Sequence, residues 1–520
     1  MQQEQGMMPP QGPMMPPMPQ GGAFVPPRPH MADQGRGRRM AEQVLFPKWF
    51  SRNALIAYLL ALAVVTFMYS AYSLPLYYML SGVVAVSVFF LYGSTVVKKT
   101  TVERIRNEKN FEKRIMIIAF VPRLLFTLLL YWIFQANYGD AFGFENGDAT
   151  YYQDLGKAVA ELIYKGKFHF YDELIKWGAH DDISDMGYGI YVGFIYWMTG
   201  NSIISVRLLK CIWSSITVVL IYRLAKRNFG VQTGRMAAIF CALWPNFWYY
   251  CGTHLKEVEM VFLGVLFVEQ ADQLLRSRQF TAWKVIPVLL IAAAIFTFRT
   301  PLGLVALLSL IFSVVMSSSR MMNWGKRIIV GVLAVLLIGV TAGNRIEEQS
   351  RSLLEQARGN QQQQNMEWRA RRTHGNAFAK YAGKSVFAPL IFSIPFPSMV
   401  RPFDGQEVQQ LNNGGNFVKN ILSGFTIFVM VLLLVSGRWR DHLVPLSFML
   451  GYLVVLTMSS FAQSERFHQP VVPFEYMFAA YGLSIAVTQP KYKRWFTYWC
   501  VLMFLAAIAW NWFKIKGRGL

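Results

Sequence analysis

Cysteine is scarce in this chain, with four in 520 residues, Cys211, Cys241, Cys251 and Cys500. All four fall in or beside apolar runs, without the paired spacing of a disulfide framework or a zinc site, so they read as small core residues. Acids are scarce too, 29 Asp and Glu against 51 Lys and Arg, a formal charge of +22. Such a balance suits nucleic acid in some proteins, but here the bases sit in short clusters between apolar runs, at Lys98-Lys99, Arg223 to Arg227, Arg438 to Arg440 and Lys491 to Arg494. Clusters of that kind mark cytoplasmic loop ends of a membrane protein, and no nucleic-acid partner is expected. A signal-peptide pattern is also missing. The first apolar run begins near Ala54, after a polar stretch too long for a charged leader, so no cleavage is expected and insertion rests on the spans themselves.

What is abundant is apolar surface. The chain is 54% hydrophobic, holds 40 Phe and has a mean hydropathy of +0.30, more than one soluble core can bury. An all-α polytopic membrane protein is expected. Residues 1–45 are rich in Met, Pro, Gln and Gly without periodic apolar positions, which predicts a disordered cytoplasmic tail. It ends in Arg36, Arg38 and Arg39, which read as a topology anchor more readily than as an anionic-lipid site. A span needs about 20 mostly apolar residues. On that basis spans are predicted near 54–72, 75–97, 115–137, 202–222, 232–250, 255–272, 284–299, 301–317, 327–343, 417–436, 442–460, 469–487 and 494–512, about thirteen in all. The implied units are two N-terminal spans with a basic loop (46–114), a transmembrane core (115–343), a long loop (344–416) and C-terminal helices (417–520). With a cytoplasmic N-terminus the basic clusters at 98–114, 223–235, 273–284, 318–327, 437–441 and 489–494 all fall inside. Lys514, Lys516 and Arg518 disagree, since they fall outside on this count.

Two long loops then share the outer face. The segment 138–187 carries ten acids against four lysines, a net of −6 on an otherwise basic chain, as a non-cytoplasmic loop would. The segment 344–416 carries nine bases against six acids and the run Gln361 to Gln364. Loops of this length are usually functional or disordered, and a helical, partly ordered piece that closes over a site is expected. Between them, Met186 to Gly200 is apolar and aromatic but too short to cross, which suits a helix at the interface.

Several motifs follow in order. They are Gly200-Asn-Ser-Ile-Ile-Ser-Val-Arg207-Leu-Leu-Lys210 continuing to Phe229-Gly230, Leu243-Trp-Pro245 with Glu257 twelve residues on, Phe298-Arg299-Thr-Pro301-Leu-Gly303, and Ser464-Glu465-Arg466-Phe467-His468-Gln-Pro470. Together, over roughly residues 115 to 487, they resemble the GT-C membrane glycosyltransferases, in particular the protein O-mannosyltransferase and lipid A aminoarabinose transferase group. The resemblance implies a GT-C-like bundle that moves a hexosyl or pentosyl group from a polyprenyl-phosphate donor to a glycan, lipid or protein acceptor on the outer face of the cell (inner) membrane. It also implies a base in the first outer loop, and Asp148 occupies the matching place.

The residues agree with that chemistry. An inverting transfer needs a carboxylate to take the acceptor hydroxyl proton, while the anionic phosphate leaving group needs cations more than an acid. Asp148 is preferred to Asp140 because Tyr151 and Tyr152 follow it and can pack the turn onto the membrane surface. The competing reading is a helix N-cap, since a helical pattern starts just after it. Glu145 is a supporting or metal-coordinating candidate. A divalent cation stays open, because some relatives hold one between paired acids and others do not. Glu257 matches a carboxylate position of the related enzymes and points to the site or to a structural partner, diverging from its neighbour Lys256; Glu259 reads as structural. Arg299 or Arg466 could hold the donor phosphate in two-point contact, or snorkel to the interface. His468 could donate to the same phosphate, or serve the core. Trp368 with Arg369, Arg371 and Arg372 could steer an anionic acceptor or lipid head group, or form a solvated face.

Two other functions compete. An envelope-polysaccharide polymerase or O-antigen ligase shares the lipid-linked donor but leans on Arg and His in the later loop, here Arg371 and His374. A transporter or flippase would show internal repeats and paired ionisable residues at mid-membrane, and neither is evident.

Overall fold

The computed structural model describes residues 46–101, 108–176, 186–277, 282–316, 361–370, 389–402, 405–459, 461–489 and 491–516, with isolated positions at 325, 328, 332, 351 and 355. Among these the chain is helical and contains no strand. In order come α1 (Lys48–Met68), α2 (Leu76–Val97), α3 (Glu108–Tyr138), α4 (Asn146–Tyr164), α5 (Phe170–Lys176), α6 (Met186–Thr199), α7 (Ile203–Phe229), α8 (Val231–Ala242), α9 (Pro245–Cys251), α10 (Glu257–Arg276), α11 (Ala282–Phe298) and α12 (Thr300–Met316). Then follow α13 (Gln361–Ala370), α14 (Glu407–Leu411), α15 (Asn413–Val435), α16 (Leu443–Met458), α17 (Glu465–His468), α18 (Val472–Thr488) and α19 (Lys491–Lys516).

Seven helices among the described residues are long and apolar enough to cross a membrane: α1, α2, α3 from Asn110, α7, α15, α16 with the turn from Arg438, and α19. The expected thirteen are therefore realised unevenly. The run 232–250 breaks at Leu243-Trp244 ahead of Pro245, because the residue before a proline disfavours helix, and gives the short pair α8 and α9. The run 255–272 is one helix, α10, but Glu257, Glu259, Glu269, Asp272 and Arg276 keep it from being apolar. α11, α12 and α18 have 17 residues each. The span expected at 327–343 lies outside the described residues.

The walls of the bundle present apolar side chains outward, with Phe67, Leu125, Trp132, Leu290, Val435 and Leu505 all exposed. In water such a surface would be untenable, and it is what a lipid-facing bundle requires. Inside, α1 and α2 are fixed to the later helices by aromatic contacts: Phe50 lies 5.2 Å from Phe90, 5.9 Å from Phe425 and 5.4 Å from Phe496.

Alternating helix direction sorts the connections to two ends. At one, Arg223 pairs with Glu112 at 2.7 Å, Arg227 with Glu269 and Asp272, and Arg276 with Asp272 at 2.9 Å. At the other lie the segments after α1, around α4 to α6, before α10, between α11 and α12, and before α15 and α18. Arg401 N donates to Tyr72 O there at 2.9 Å. Lys514 sits at this second end as well, buried and donating to Ser398 Oγ at 3.0 Å and Gln409 Oε1 at 3.1 Å. The charge-rule conflict at this lysine thus has a local cause: its ammonium is hydrogen-bonded to polar partners within the fold rather than facing water.

The short apolar segment Met186 to Gly200 forms α6, and α4 is laid along it. Gly189 and Gly193, one turn apart on α6, let the two backbones approach, as small residues at this spacing do in membranes. A Cβ on Gly189 would lie 2.2 Å from Leu155 Cδ2, and one on Gly193 2.4 Å from Val159 Cβ. This seam sets the height and rotation of α4, and hence the place of Asp148.

Candidate active site

The site is assembled from four separate stretches. After α3, the turn 139–145 is tied down by two devices. Asp140 Oδ1 accepts from Phe142 N at 2.7 Å and Gly143 N at 3.1 Å, closing an Asx turn. Arg207, buried on the first turns of α7, donates to Ala141 O and lies over the Tyr131 ring. Asp140 thereby holds the turn together through its Oδ1. The helix α4 then begins at Asn146, so Asp148 lies inside its first turn, where a carboxylate also suits the helix dipole, rather than at the cap.

The Asp148 carboxylate pairs with the Arg466 guanidinium, and the same guanidinium pairs through Nε with Glu257. One arginine therefore joins two acids that lie 318 and 209 residues away in sequence. The three differ in exposure. The side chain of Asp148 is 59% exposed, that of Arg466 14% and that of Glu257 0%. Glu257 is the fixed counter-ion of Arg466, and Asp148 is the carboxylate that a solute can reach.

Arg299, half-buried between α11 and α12, adds a second guanidinium. It stacks on Phe467, 4.1 Å from ring centre to Cζ, and its Nη1 lies 3.5 Å from Tyr452 Oη; the Arg466 guanidinium lies 6.0 Å from the same Phe467 ring. Among the described residues no carboxylate comes within ion-pair distance of Arg299. Neighbouring Lys256 donates to Phe298 O at 2.9 Å and faces the Tyr152 ring, so it diverges from Glu257 as adjacent helical positions must. Tyr152 is the floor of the cluster: it is buried, stands edge-on to Tyr188 at 4.9 Å, and feels the charges of Arg466, Glu257, Asp148 and Arg299. Burial is the main cause that pushes its hydroxyl well above the usual tyrosine range, so it is a neutral hydrogen-bonding group here.

The other sequence candidates separate from this group. His468 is buried, with Nε2 2.8 Å from Ala462 O and Nδ1 3.3 Å from Lys419 Nζ, so both ring nitrogens are engaged within the fold. Lys419 in turn pairs with Glu475 at 3.6 Å, deep between α15 and α18. Glu259 pairs with Lys210 at 3.2 Å, both buried, and is structural as expected. Trp368 lies on α13, whose Met366 packs with Trp510 and Phe513 of α19; its carbonyl accepts from Gln406 at 3.5 Å. Glu145 ends the turn Gly143–Glu145, and its side chain, like Arg371 and Arg372, lies outside the described residues. Among the described residues no three of His, Cys, Asp and Glu come together as metal ligands, and the two acids present both lie on Arg466.

Sequence reasoning missed the supporting cations. Arg207 and Lys210 are three apart on α7 and therefore share a face; Lys210 donates to Leu255 O and reaches Glu259, holding the chain just before Glu257. Two bases at i and i+3 within an otherwise apolar helix were the available signal.

No curated protein matches the chain. A family does: residues 190–342 match the model described as dolichyl-phosphate-mannose-protein mannosyltransferase. That stretch includes Glu257 and Arg299 of the cluster, and stops short of Asp148 and Arg466. With its apolar helices the molecule is a multi-pass membrane protein, and over residues 190–342 it is similar to the dolichyl-phosphate-mannose-protein mannosyltransferase family.

Proposed function

We propose that this glycosyltransferase moves a sugar from a polyprenyl-phosphate donor to an acceptor hydroxyl at the outer face of the membrane, with Asp148 as the general base. The observation that carries the reading is the shared arginine: Arg466 holds an accessible carboxylate, Asp148, and a buried one, Glu257, beside a guanidinium, Arg299, with which no carboxylate among the described residues pairs.

In the proposed reaction the acceptor oxygen forms a bond to the anomeric carbon as its proton passes to Asp148. The bond from that carbon to the phosphate oxygen breaks, and the phosphate keeps the electron pair. Arg299 binds the phosphate through charge-assisted hydrogen bonds, and Arg466 orients Asp148 and meets the growing negative charge. Glu257 keeps Arg466 in place without competing as a base, because it is buried beneath it. The outer-face placement follows from the acidic segment 138–187 and from the basic clusters gathered at the opposite end of the bundle.

The decisive experiment is Asp148→Asn in protein reconstituted in membranes with a polyprenyl-phosphate sugar. Transfer is abolished while the protein level and donor binding persist. Turnover retained by Asp148→Asn removes the residue from its role, and tag-accessibility mapping that puts 138–187 in the cytosol removes the outer-face reading.

A further inference from the structure

Where α10 ends and α11 begins, at the basic end of the bundle, a cavity of about 460 Å³ opens between the two helices. That volume lies within the range of about 300–1,000 Å³ that small-molecule pockets occupy. Its polar wall consists of Arg227, Arg276, Lys284, Gln270, Gln273 and Ser277, so every ionisable side chain described on it is a base. The acids that hold the two arginines, Glu269 on Arg227 and Asp272 on both, are buried and do not line the cavity. The guanidinia themselves stay 22% and 26% exposed. Lys284 donates to Ser277 Oγ at 2.9 Å, which ties the first turn of α11 to the end of α10. The rest of the lining is apolar: Leu274, Trp283 and Pro287. From there Trp283, Ile286 and Leu290, spaced by three and four on α11, form an exposed apolar stripe that leads away from the bases.

We propose that this cavity binds the head group of an anionic glycerophospholipid from the leaflet at that end, with its phosphodiester on Arg276 and Lys284 and an acyl chain along Trp283, Ile286 and Leu290. Three observations select that occupant. Bases gathered in a hollow between membrane helices suit a lipid phosphate, which accepts charge-assisted hydrogen bonds from them. A zwitterionic head would bring its cationic amine to a wall on which no described residue is a carboxylate. The adjoining stripe offers apolar contact that a free anion cannot use, and Trp283, 79% exposed, stands where an indole ring suits the head-group level. The site also has a lever on the rest of the molecule. α10 starts at Glu257 and α11 ends at Phe298, next to Arg299, so a lipid that clamps the basic ends of this hairpin steadies the two helices whose far ends reach the cluster.

The test uses the full-length protein in phosphatidylcholine nanodiscs that contain a trace of phosphatidylglycerol with a photoreactive diazirine in its acyl chain, and in parallel the matching phosphatidylcholine probe. The phosphatidylglycerol probe should label peptides bearing Trp283 to Leu290 well above the phosphatidylcholine probe, a comparison that needs no variant. Lys284→Gln should lower that label about fivefold, the factor that one basic residue contributes at an anionic membrane surface. Lys493→Gln, which removes another exposed lysine from the same end, should leave it unchanged. Both lysines are exposed, and unfolding temperatures equal to wild type show that the variants are folded. Equal labelling by the two probes, or an equal loss in Lys493→Gln, reduces the site to general surface contact and overturns the proposal. Displacement of the probe by inorganic phosphate overturns it too, because the cavity would then be a free-anion site rather than a lipid site.

Discussion

Asp148→Asn should separate chemistry from stability, and the exposures in the cluster set the size of each effect. The Asp148 side chain is 59% exposed, so its pair with Arg466 is screened and is worth about 0.2–1 kcal/mol. The substitution keeps an oxygen that can accept from the guanidinium, and its stability cost should stay below about 1 kcal/mol. Losing a general base, by contrast, costs about 10²–10⁴ in rate, or about 3–5 kcal/mol of barrier. Arg466→Ala behaves oppositely. It strands the fully buried Glu257 carboxylate, and breaking such a pair from one side costs about 3–5 kcal/mol of stability. The assay pairs thermal unfolding of nanodisc-embedded protein with sugar transfer and donor affinity measured on the same samples. Asp148→Asn should melt near the wild type and turn over at least a hundredfold more slowly, with donor affinity intact. If it loses stability as much as Arg466→Ala does, Asp148 is a structural partner; if turnover stays near wild type, the base lies elsewhere.

Further outcomes follow from the same contacts. Adding Glu257→Gln to Arg466→Ala should restore much of the lost stability, because a neutral amide replaces a stranded carboxylate, yet transfer should remain absent; no recovery in unfolding temperature would show that Glu257 is not the buried counter-ion. Arg299→Ala should raise the KM for donor by about 10–100-fold, the equivalent of a charge-assisted hydrogen bond worth about 1.5–3 kcal/mol, with a smaller effect on kcat; unchanged donor affinity would make it an anchor. Gly193→Leu should lower both stability and turnover, since even a Cβ there meets Val159, and wild-type turnover would mean that the α4–α6 seam does not position Asp148. Tyr152 is an acid whose pKa is raised in the fold, so it contributes stability that is present below about pH 10 and lost as pH rises beyond it. Tyr152→Phe should flatten that alkaline loss of stability, read by unfolding against pH, and leave the pH–rate profile at neutral pH unshifted.

The helical, membrane-embedded class was legible from apolar runs alone, because in lipid every backbone group must be satisfied within a helix. The place of a span was legible for α1, α3 and α7, but the helices Lys48–Met68, Glu108–Tyr138 and Ile203–Phe229 extend up to seven residues past the expected 54–72, 115–137 and 202–222. The run 232–250 is divided by a local proline break into α8 and α9, while α10, expected at 255–272, is the charged helix Glu257–Arg276, which buried ion pairs with Arg227 and Lys210 make stable inside the bundle. Asp148, Glu257 and Arg466 could each be marked as ionisable groups beside apolar segments. That all three meet could not be read, because their pairing depends on the glycine seam of α6 and on the buried Arg207 and Lys210, contacts between distant parts of the chain. His468 shows the converse: its neighbour Arg466 faces the site while the histidine turns inward to Lys419, and no local pattern in Ser464-Glu465-Arg466-Phe467-His468 distinguishes the two directions.

The formal charges explain why two acids belong on one arginine. Asp148 and Glu257 against Arg466 and Arg299 leave these four groups balanced before the donor arrives, and a donor phosphodiester adds one negative charge. During the proposed transfer the departing phosphate gains one negative charge as Asp148 gains a proton, and the sum does not change. Conserving charge matters at this place, because two of the four groups have little or no exposure and an unbalanced charge in a poorly solvated site costs several kcal/mol. Removing Glu257 would leave the empty cluster at +1, tightening donor phosphate while slowing the release of the still more negative product phosphate. Glu257→Gln should therefore lower kcat through slower product release, with a pre-steady-state burst of sugar transfer preceding the slow phase. A single slow phase with no burst would instead place the loss in the chemical step and would assign Glu257 to the reaction itself.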